Sequence, residues 1–480
     1  MLFNSYEFLF VFLPIVFLFY FVFNRCGWIT FSKGWLVVSS LFFYSWWNVL
    51  YLPLILASMA MNFLIGRALV SDRKPAIRKA LVTLGIIGNV ALLGYFKYSD
   101  FFIGTVNTLL GANWALLELT LPLAISFFTF QQIAFLVDAY RGETKDYRLL
   151  DYALFVTFFP QLIAGPIVHH KEMMPQFEDV QNRRINPKHM AMGIFIFSIG
   201  LFKKVAIADT FAQTATNGFD VRESLTFLEA WLVSYSYTFQ LYFDFSGYAD
   251  MAIGLALLFN ISLPVNFLSP YKSLSIQEFW RRWHMTLGRF LTHYLYIPLG
   301  GNRRGKIRTY VNLFIVFFVS GIWHGAGWTF VLWGVLHGVA MMINRLWQQL
   351  GFKMNKVLAW FITFQFVNFA WVFFRAESFE DALKVLKGMA GLSGFALPEW
   401  AAEQVAWLTF AAEFQMAETD FYWGLGLTAM AFIIVLTWRN SIERMEAFKP
   451  NFYHVFICAA ALIYSILSLS EVSEFLYFNF

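Results

Sequence analysis

The chain has 480 residues, of which 59% are hydrophobic and 20% aromatic. Only 14% carry a charge, against about a quarter in ordinary soluble domains, so a water-soluble globule is excluded and the bilayer is the expected solvent. The formal net charge of +5 is small for this length and implies no nucleic-acid partner.

Apolar stretches lie near 6–24, 35–47, 51–69, 80–97, 119–137, 151–168, 190–207, 228–243, 249–262, 309–323, 328–344, 357–374, 423–438 and 453–468. None alternates in polarity as a barrel strand does, so the expected fold is all-α, a polytopic helical bundle. Several stretches are shorter than the roughly 20 residues of a straight span, which leaves about 10–12 transmembrane helices, with the rest re-entrant or interfacial. The leading "MLFNSYE" holds Glu7 and no Lys or Arg. With no small-residue cleavage site after it, the first stretch reads as a retained helix rather than a signal peptide. Arg25 follows that helix, so the positive-inside rule puts the N-terminus outside and Arg25 in the cytoplasm, together with "SDRKPAIRK" (71–79), "NRRGKIR" (302–308) and "WRNSIERMEAFK" (438–449). Residues 388–438 carry Glu399, Glu403, Glu413, Glu418 and Asp420 and no Lys or Arg, so the segment 388–422 is expected to be an extracytoplasmic loop. Cys26 and Cys458 belong to no CxxC or Cys/His cluster, so neither a disulfide framework nor a metal site is indicated, and both read as buried small hydrophobes. No repeat or flexible linker divides the chain, and residues 1–480 are expected to form one domain.

Polar residues inside apolar sequence mark the candidate sites. "FFPQLIAGPI" sets Gln161 between two prolines, in a re-entrant turn whose broken backbone an amide can satisfy. "FQLYFDFSGYAD" buries Gln240, Asp244 and Ser246 among aromatics, and Asp244 is expected to pair with an arginine that holds the bundle together. In "SIQEFWRRWHMTLGRFLTHYLYIPLGGNRRGK" (275–306), Ser275 and Glu278 have capping-box spacing, and Leu274 and Phe279 sit where a hydrophobic staple closes. One amphipathic helix is therefore expected to run from here to "IPLGGN". Ile276, Trp280, Trp283, Leu287, Leu291 and Tyr294 share one face, and Glu278, Arg281, Arg282 and Arg289 the other, as in a helix lying along the interface. His284 sits at the border of those faces, one turn before Gly288. It reads either as a backbone-bonded interfacial ring or as a site residue. The arginines read either as snorkelling anchors or as contacts for phosphate.

"GIWHGAGW" (321–328) makes the strongest claim. The surrounding sequence reads as a helical hairpin with Arg308 and Arg345 at its two ends, which puts its bend, and His324, across or within the membrane. An ionisable ring at that depth is a functional candidate, and one buried among apolar groups stays neutral and can take a proton. His337, in "WGVLHG", reads as a helix-packing partner.

The stretches "LPLAISFFTFQQIAFLVDAYRGE", "FFPQLIAGPI", "LYFDFSGYADMAIG", "FWRRWHMTLGRFLTHYLYIPLGGNRRG", "GIWHGAGWTFVLWGVLHG" and "WVFFRAESF", in that order, closely resemble the membrane-bound O-acyltransferase (MBOAT) family in its bacterial alginate O-acetylase branch. The resemblance runs from the N-terminus to about residue 390; the segment from 390 to 425 matches no pattern of the family. It implies a bundle around a central tunnel, in a multi-pass protein of the bacterial inner membrane. A cytoplasmic thioester donor, acetyl-CoA or a carrier-bound acyl group, would meet an extracytoplasmic polysaccharide acceptor there, and no cofactor would be permanently bound. The family's central histidine falls on His324 and its upstream histidine on His284, which makes these the expected catalytic pair. His284 or the backbone N–H groups of the "GAG" bend would stabilise the oxyanion. Arg281, Arg282, Arg289, Arg303 and Arg304 are the expected donor-binding set, and Trp283, Trp323, Asp244 and Gln161 are expected to line the tunnel. No GxSxG elbow argues for an acyl-enzyme, so direct transfer is expected. The absence of a soluble catalytic domain points to a periplasmic acetyltransferase partner. Related branches acetylate peptidoglycan or transfer D-alanine to teichoic acid. A transporter or polysaccharide-export component is the rival from another class, disfavoured by the lack of inverted repeats.

Overall fold

The computed structural model describes residues 1–71, 73–144, 148–396, 416–469 and 476. Helices form throughout, and no strand occurs among the described residues. The chain gathers into two units, each assembled from separate stretches of sequence.

The first unit comprises Met1–Phe202, Tyr248–Val265 and Met445–Phe480. Its helices include α1 (Leu13–Arg25), α2 (Ile29–Ser45), α3 (Leu52–Val70), α4 (Pro75–Leu93), α5 (Ser99–Leu110), α6 (Ile125–Tyr140), α7 (Leu149–Thr157), α8 (Phe159–Leu162), α9 (His170–Glu178), α10 (Pro187–Phe202) and the helix Phe452–Leu467. Pro75 stands at the first position of α4, where the missing N–H has no intrahelical partner to lose. The inner helix is α6, with thirteen of its sixteen residues buried. A side chain at Gly66 of α3 would overlap the Phe135 ring at 2.4 Å, so that glycine lets α3 and α6 approach. Polar groups in this core answer one another. Asn62 and Asn89 exchange amide hydrogen bonds of 3.1 and 2.6 Å, and Gln132 joins Ser58 to Tyr152. Gln161 donates its amide to Phe155 O at 2.8 Å, satisfying a carbonyl at the break before Pro160, as expected of a residue in a broken helix.

The second unit comprises Lys203–Gly247 and Asn266–Arg444. It holds α11 (Asp209–Thr216), most of α12 (Phe227–Leu258), α13 (Ile276–Arg282), α14 (Met285–Leu291), α15 (Lys306–His324), α16 (Trp328–Leu350), α17 (Lys356–Arg375), α18 (Phe379–Met389) and the helix Glu418–Thr437. The stretches 228–243 and 249–262, read from sequence as separate segments, are largely one 32-residue helix, α12. The polar interruption between them fails to break it because Asp244 is satisfied. Its carboxylate lies 2.7 Å from Lys204 Nζ, which also meets Asp209 at 2.8 Å. The partner is thus a lysine rather than the expected arginine.

Eight helices among the described residues are long and apolar enough to cross a membrane, with Phe452–Leu467 a shorter apolar helix. Several further stretches counted from sequence fall short as helices: α2 has 17 residues and α6 has 16, with residues 111–122 before it non-helical. Cys26 is exposed and Cys458 half-buried, in place of the two buried cysteines expected, because Cys26 caps the end of α1 beside a turn. Most of the 388–422 loop, including Glu399, Glu403 and Glu413, lies outside the described residues.

Candidate active site

The hairpin of α15 and α16 positions His324. The two backbones touch at glycines: a Cβ on Gly321 would lie 2.5 Å from Phe330 O, and one on Gly334 would lie 2.6 Å from Phe317 O. Only glycine permits that approach. One turn beyond Gly321, α15 ends on His324, where Gly325 and Gly327 are extended, and α16 starts at Trp328. The ring is 2% exposed, caged by Trp323, Trp333 and Phe374 at centroid distances of 4.9, 5.1 and 5.1 Å. His324 is thus the last residue of α15, four residues before α16 begins. A helix's carbonyl end favours positive charge and its N–H end negative charge.

His284 is placed differently. The capping box forms at the start of α13, with Ser275 Oγ accepting from Glu278 N–H and Glu278 accepting from Leu274 N–H. The single helix expected from there is broken after Arg282. Its cause is His284 itself, at φ 44° and ψ 51°, in the left-handed region where a side chain costs about 1–2 kcal/mol. Such a strained residue at a site is held by its surroundings, and here the holder is Asn266. Asn266 O accepts Met285 N–H at 3.0 Å, and Asn266 Oδ1 meets Thr286 N–H at 3.2 Å, Thr286 Oγ1 at 2.8 Å and His284 Nδ1 at 3.1 Å. The imidazole stands edge-on to Phe245 at 4.8 Å and is 1% exposed, and this burial pushes its pKa down to about 3. The ring is therefore neutral at pH 7. The two histidines meet through Trp323, whose ring is 4.9 Å from His324 and 6.3 Å from His284.

A cavity of about 520 Å³ reaches His284, a volume suited to a small-molecule ligand. Arg281, Arg289 and Arg345 give its lining a cationic character, and Ser320, one helical turn before His324 on α15, contributes to its wall. Arg281 and Arg289 come from the expected donor set. The other three members are elsewhere: Arg282 pairs with Glu278 at 2.8 Å, and Arg303 and Arg304 are exposed on the turn before α15. Trp283 is not in the cavity wall but in an aromatic cluster with Phe267, Phe279 and Trp371. Asp244 is engaged with Lys204, and Gln161 belongs to the first unit. His337 packs as expected, accepting a hydrogen bond from Trp280 Nε1 at 3.2 Å.

Sequence reasoning missed Arg345, Asn266 and Lys204. Arg345 carried a signal, because Met341, Asn344, Arg345 and Gln348 recur at helical spacing on one face of α16, and all four line the cavity. Asn266 carried none, since a lone Asn eighteen residues before a histidine has no local pattern.

Residues 114–379 match the model of the membrane-bound O-acyltransferase family. The chain belongs to that family; it is a multi-pass membrane O-acyltransferase. It is 48% identical to the peptidoglycan O-acetyltransferase of Helicobacter pylori, over 100% of this chain and 98% of that one. It is 40% identical to the probable alginate O-acetylase of Pseudomonas putida, over 86% of this chain and 84% of that one. Against the teichoic acid D-alanyltransferase of Streptococcus thermophilus the identity is 29%, over 49% of this chain and 59% of that one.

Proposed function

We propose that the protein transfers an acetyl group from a cytoplasmic thioester to a hydroxyl of peptidoglycan outside a bacterial inner membrane, with a periplasmic acetyltransferase completing delivery. The observation that carries the chemistry is the arginine-lined cavity that reaches His284, which in turn meets His324 through Trp323. The arginines suit the phosphates of coenzyme A or of a carrier's pantetheine arm. His324 takes the proton from the attacking hydroxyl. The oxygen bonds to the thioester carbonyl carbon, the C–S bond breaks, and the thiolate leaves and takes the proton back from His324. During the step the carbonyl end of α15 stabilises the imidazolium, while the first-turn N–H groups of α16 stabilise the carbonyl oxygen as it becomes negative. His284 is not the oxyanion donor. As a neutral ring whose Nδ1–H is directed at Asn266, it offers an acceptor at Nε2.

For the acceptor, the 48% identity to a peptidoglycan acetyltransferase extends over the whole chain, beyond residue 390, where the alginate-like motifs stop. That favours peptidoglycan over the alginate-like polysaccharide that the motifs suggested. The test places purified protein in vesicles with radiolabelled acetyl-CoA on the side of the 302–308 loop, and peptidoglycan fragments or alginate with periplasmic acetyltransferases on the other. Label in peptidoglycan supports the proposal; label in alginate alone assigns the acceptor to the other branch. Label in neither, with the donor consumed, removes the polysaccharide reading. In a cysteine-free background, single cysteines in the 302–308 and 397–415 segments should label from opposite sides. Labelling from one side overturns the direction of transfer.

A further inference from the structure

We propose that Asn266 is a positioning residue that fixes His284 as its Nδ1–H tautomer and keeps Nε2 as the ring's hydrogen-bond acceptor. The assignment follows from which atoms can donate. A backbone N–H only donates, so the atom of Asn266 that faces Thr286 N–H at 3.2 Å is the amide oxygen, not its nitrogen. The same oxygen lies 3.1 Å from His284 Nδ1. An amide oxygen only accepts, so Nδ1 must carry the proton. In a neutral imidazole, Nε2 then holds the lone pair. Thr286 Oγ1 donates to the same oxygen at 2.8 Å, and turning the amide would set its NH2 against the donor-only Thr286 N–H. The main chain completes the clamp through Asn266 O and Met285 N–H, which holds the left-handed turn at His284 in place. Asn266 is 1% exposed and Thr286 2%, so no water competes freely for these contacts.

The consequence rests on the reading of the cavity as the donor's. A lone pair at Nε2 complements an N–H group, such as a pantetheine amide, rather than the thioester carbonyl. His284 would then hold the thioester arm, while His324 handles the proton. The neighbours support a neutral ring. Arg281, Arg289, Arg345 and His293 line the same cavity, Phe245 and Trp323 pack against the imidazole, and the carboxylate beside Phe245, Asp244, is paired with Lys204. An added proton on His284 would meet the arginines' positive charge and no carboxylate from this set.

Two isosteric substitutions separate positioning from mere support. Asn266→Leu removes the acceptor, whereas Asn266→Asp keeps it. Nitrogen-15 NMR of histidine-labelled protein, with the His284 signals assigned by their loss in His284→Asn, should report Nδ1–H in the wild type and in Asn266→Asp, and a mixture with Nε2–H in Asn266→Leu. Acetyl transfer at pH 7.5 should fall by about tenfold or more in kcat/KM for Asn266→Leu and stay within about threefold for Asn266→Asp. A carboxylate beside Nδ1–H raises the imidazole pKa, so the Asp variant should lose activity at a higher pH than the wild type as the medium is acidified. An unchanged tautomer in folded Asn266→Leu overturns the proposal, as does wild-type kcat/KM in that variant. Should Asn266→Leu not fold, an Asp variant with a wild-type pH profile overturns it instead. The NMR arm needs no substrate. It can fail while wild-type transfer is intact, and it can succeed where the acetyltransferase reading fails.

Discussion

His324 and His284 are both buried, yet the fold places them by opposite means. His324 is positioned by backbone: two glycines let α15 and α16 touch, a glycine-rich bend ends the first helix on the histidine, and aromatic rings enclose it. His284 is positioned by side-chain and main-chain hydrogen bonds from Asn266, at a strained turn beside a cavity. A backbone-set residue stands at helix termini, where charge that develops during reaction meets fixed dipoles. A residue set by hydrogen bonds has its donor and acceptor atoms defined, which suits recognition. On the proposed reading, the first carries the chemistry and the second aligns the substrate.

The largest effect that breaks or keeps this contrast is expected from His324→Ala. Loss of the proton acceptor should lower transfer by about 10²–10⁴-fold with the folded yield near wild type, as read by labelled acetyl in the acceptor. Near-normal activity would remove His324 from the chemistry. Next is the backbone itself. A methyl group on Gly334 meets Phe317 O at 2.6 Å and Gly321 Cα at 3.0 Å, so Gly334→Ala must spread the hairpin. A destabilisation of about 1–3 kcal/mol is expected, visible as a lower thermal midpoint with reduced activity. Gly288→Ala, whose nearest neighbour is 3.8 Å away, should leave the midpoint unchanged. His284→Asn tests the other site with a residue that tolerates the left-handed turn. Transfer should fall by about tenfold to a hundredfold, less than for His324→Ala. Equal losses at both positions would end the division of roles.

How far the sequence revealed this arrangement depended on whether the cause was local. Hydropathy over twenty-residue windows reports burial in a bilayer directly, so the helical membrane fold was legible. So was the bend at His324, because glycines flank the histidine within eight residues. The capping box at Ser275 was legible for the same reason. The break at His284 was not, since its sequence keeps helical periodicity and the left-handed turn there is held by Asn266, eighteen residues earlier. Asp244 showed that it needed a cation, but not which one, because Lys204 lies forty residues away and reaches it only through packing. Arg282 and Arg289 look alike in sequence. One meets Glu278 a turn away on its own helix, and the other lines the cavity.

That last difference yields the finest test, and the smallest expected effects. Arg281, Arg289 and Arg345 line the cavity, so each can contact a donor phosphate by a charge-assisted hydrogen bond of about 1.5–3 kcal/mol. Removing one should raise the donor KM by about tenfold or more and barely change kcat, since ground and transition states share the lost contact. Arg289→Gln and Arg345→Gln are the informative single variants, because both side chains are half-buried and Arg281 is exposed. Arg282→Gln is the control. Its guanidinium is already held by Glu278 at 2.8 Å and by Leu268 O at 3.2 Å, so the donor KM should stay within about twofold of wild type. If the arginines serve only as lipid anchors, all three variants should lower the amount of protein in the membrane and leave donor affinity alone. If Arg282→Gln raises KM as much as Arg289→Gln does, the donor reaches past the cavity onto the outer face of α13, and the cavity does not define its binding.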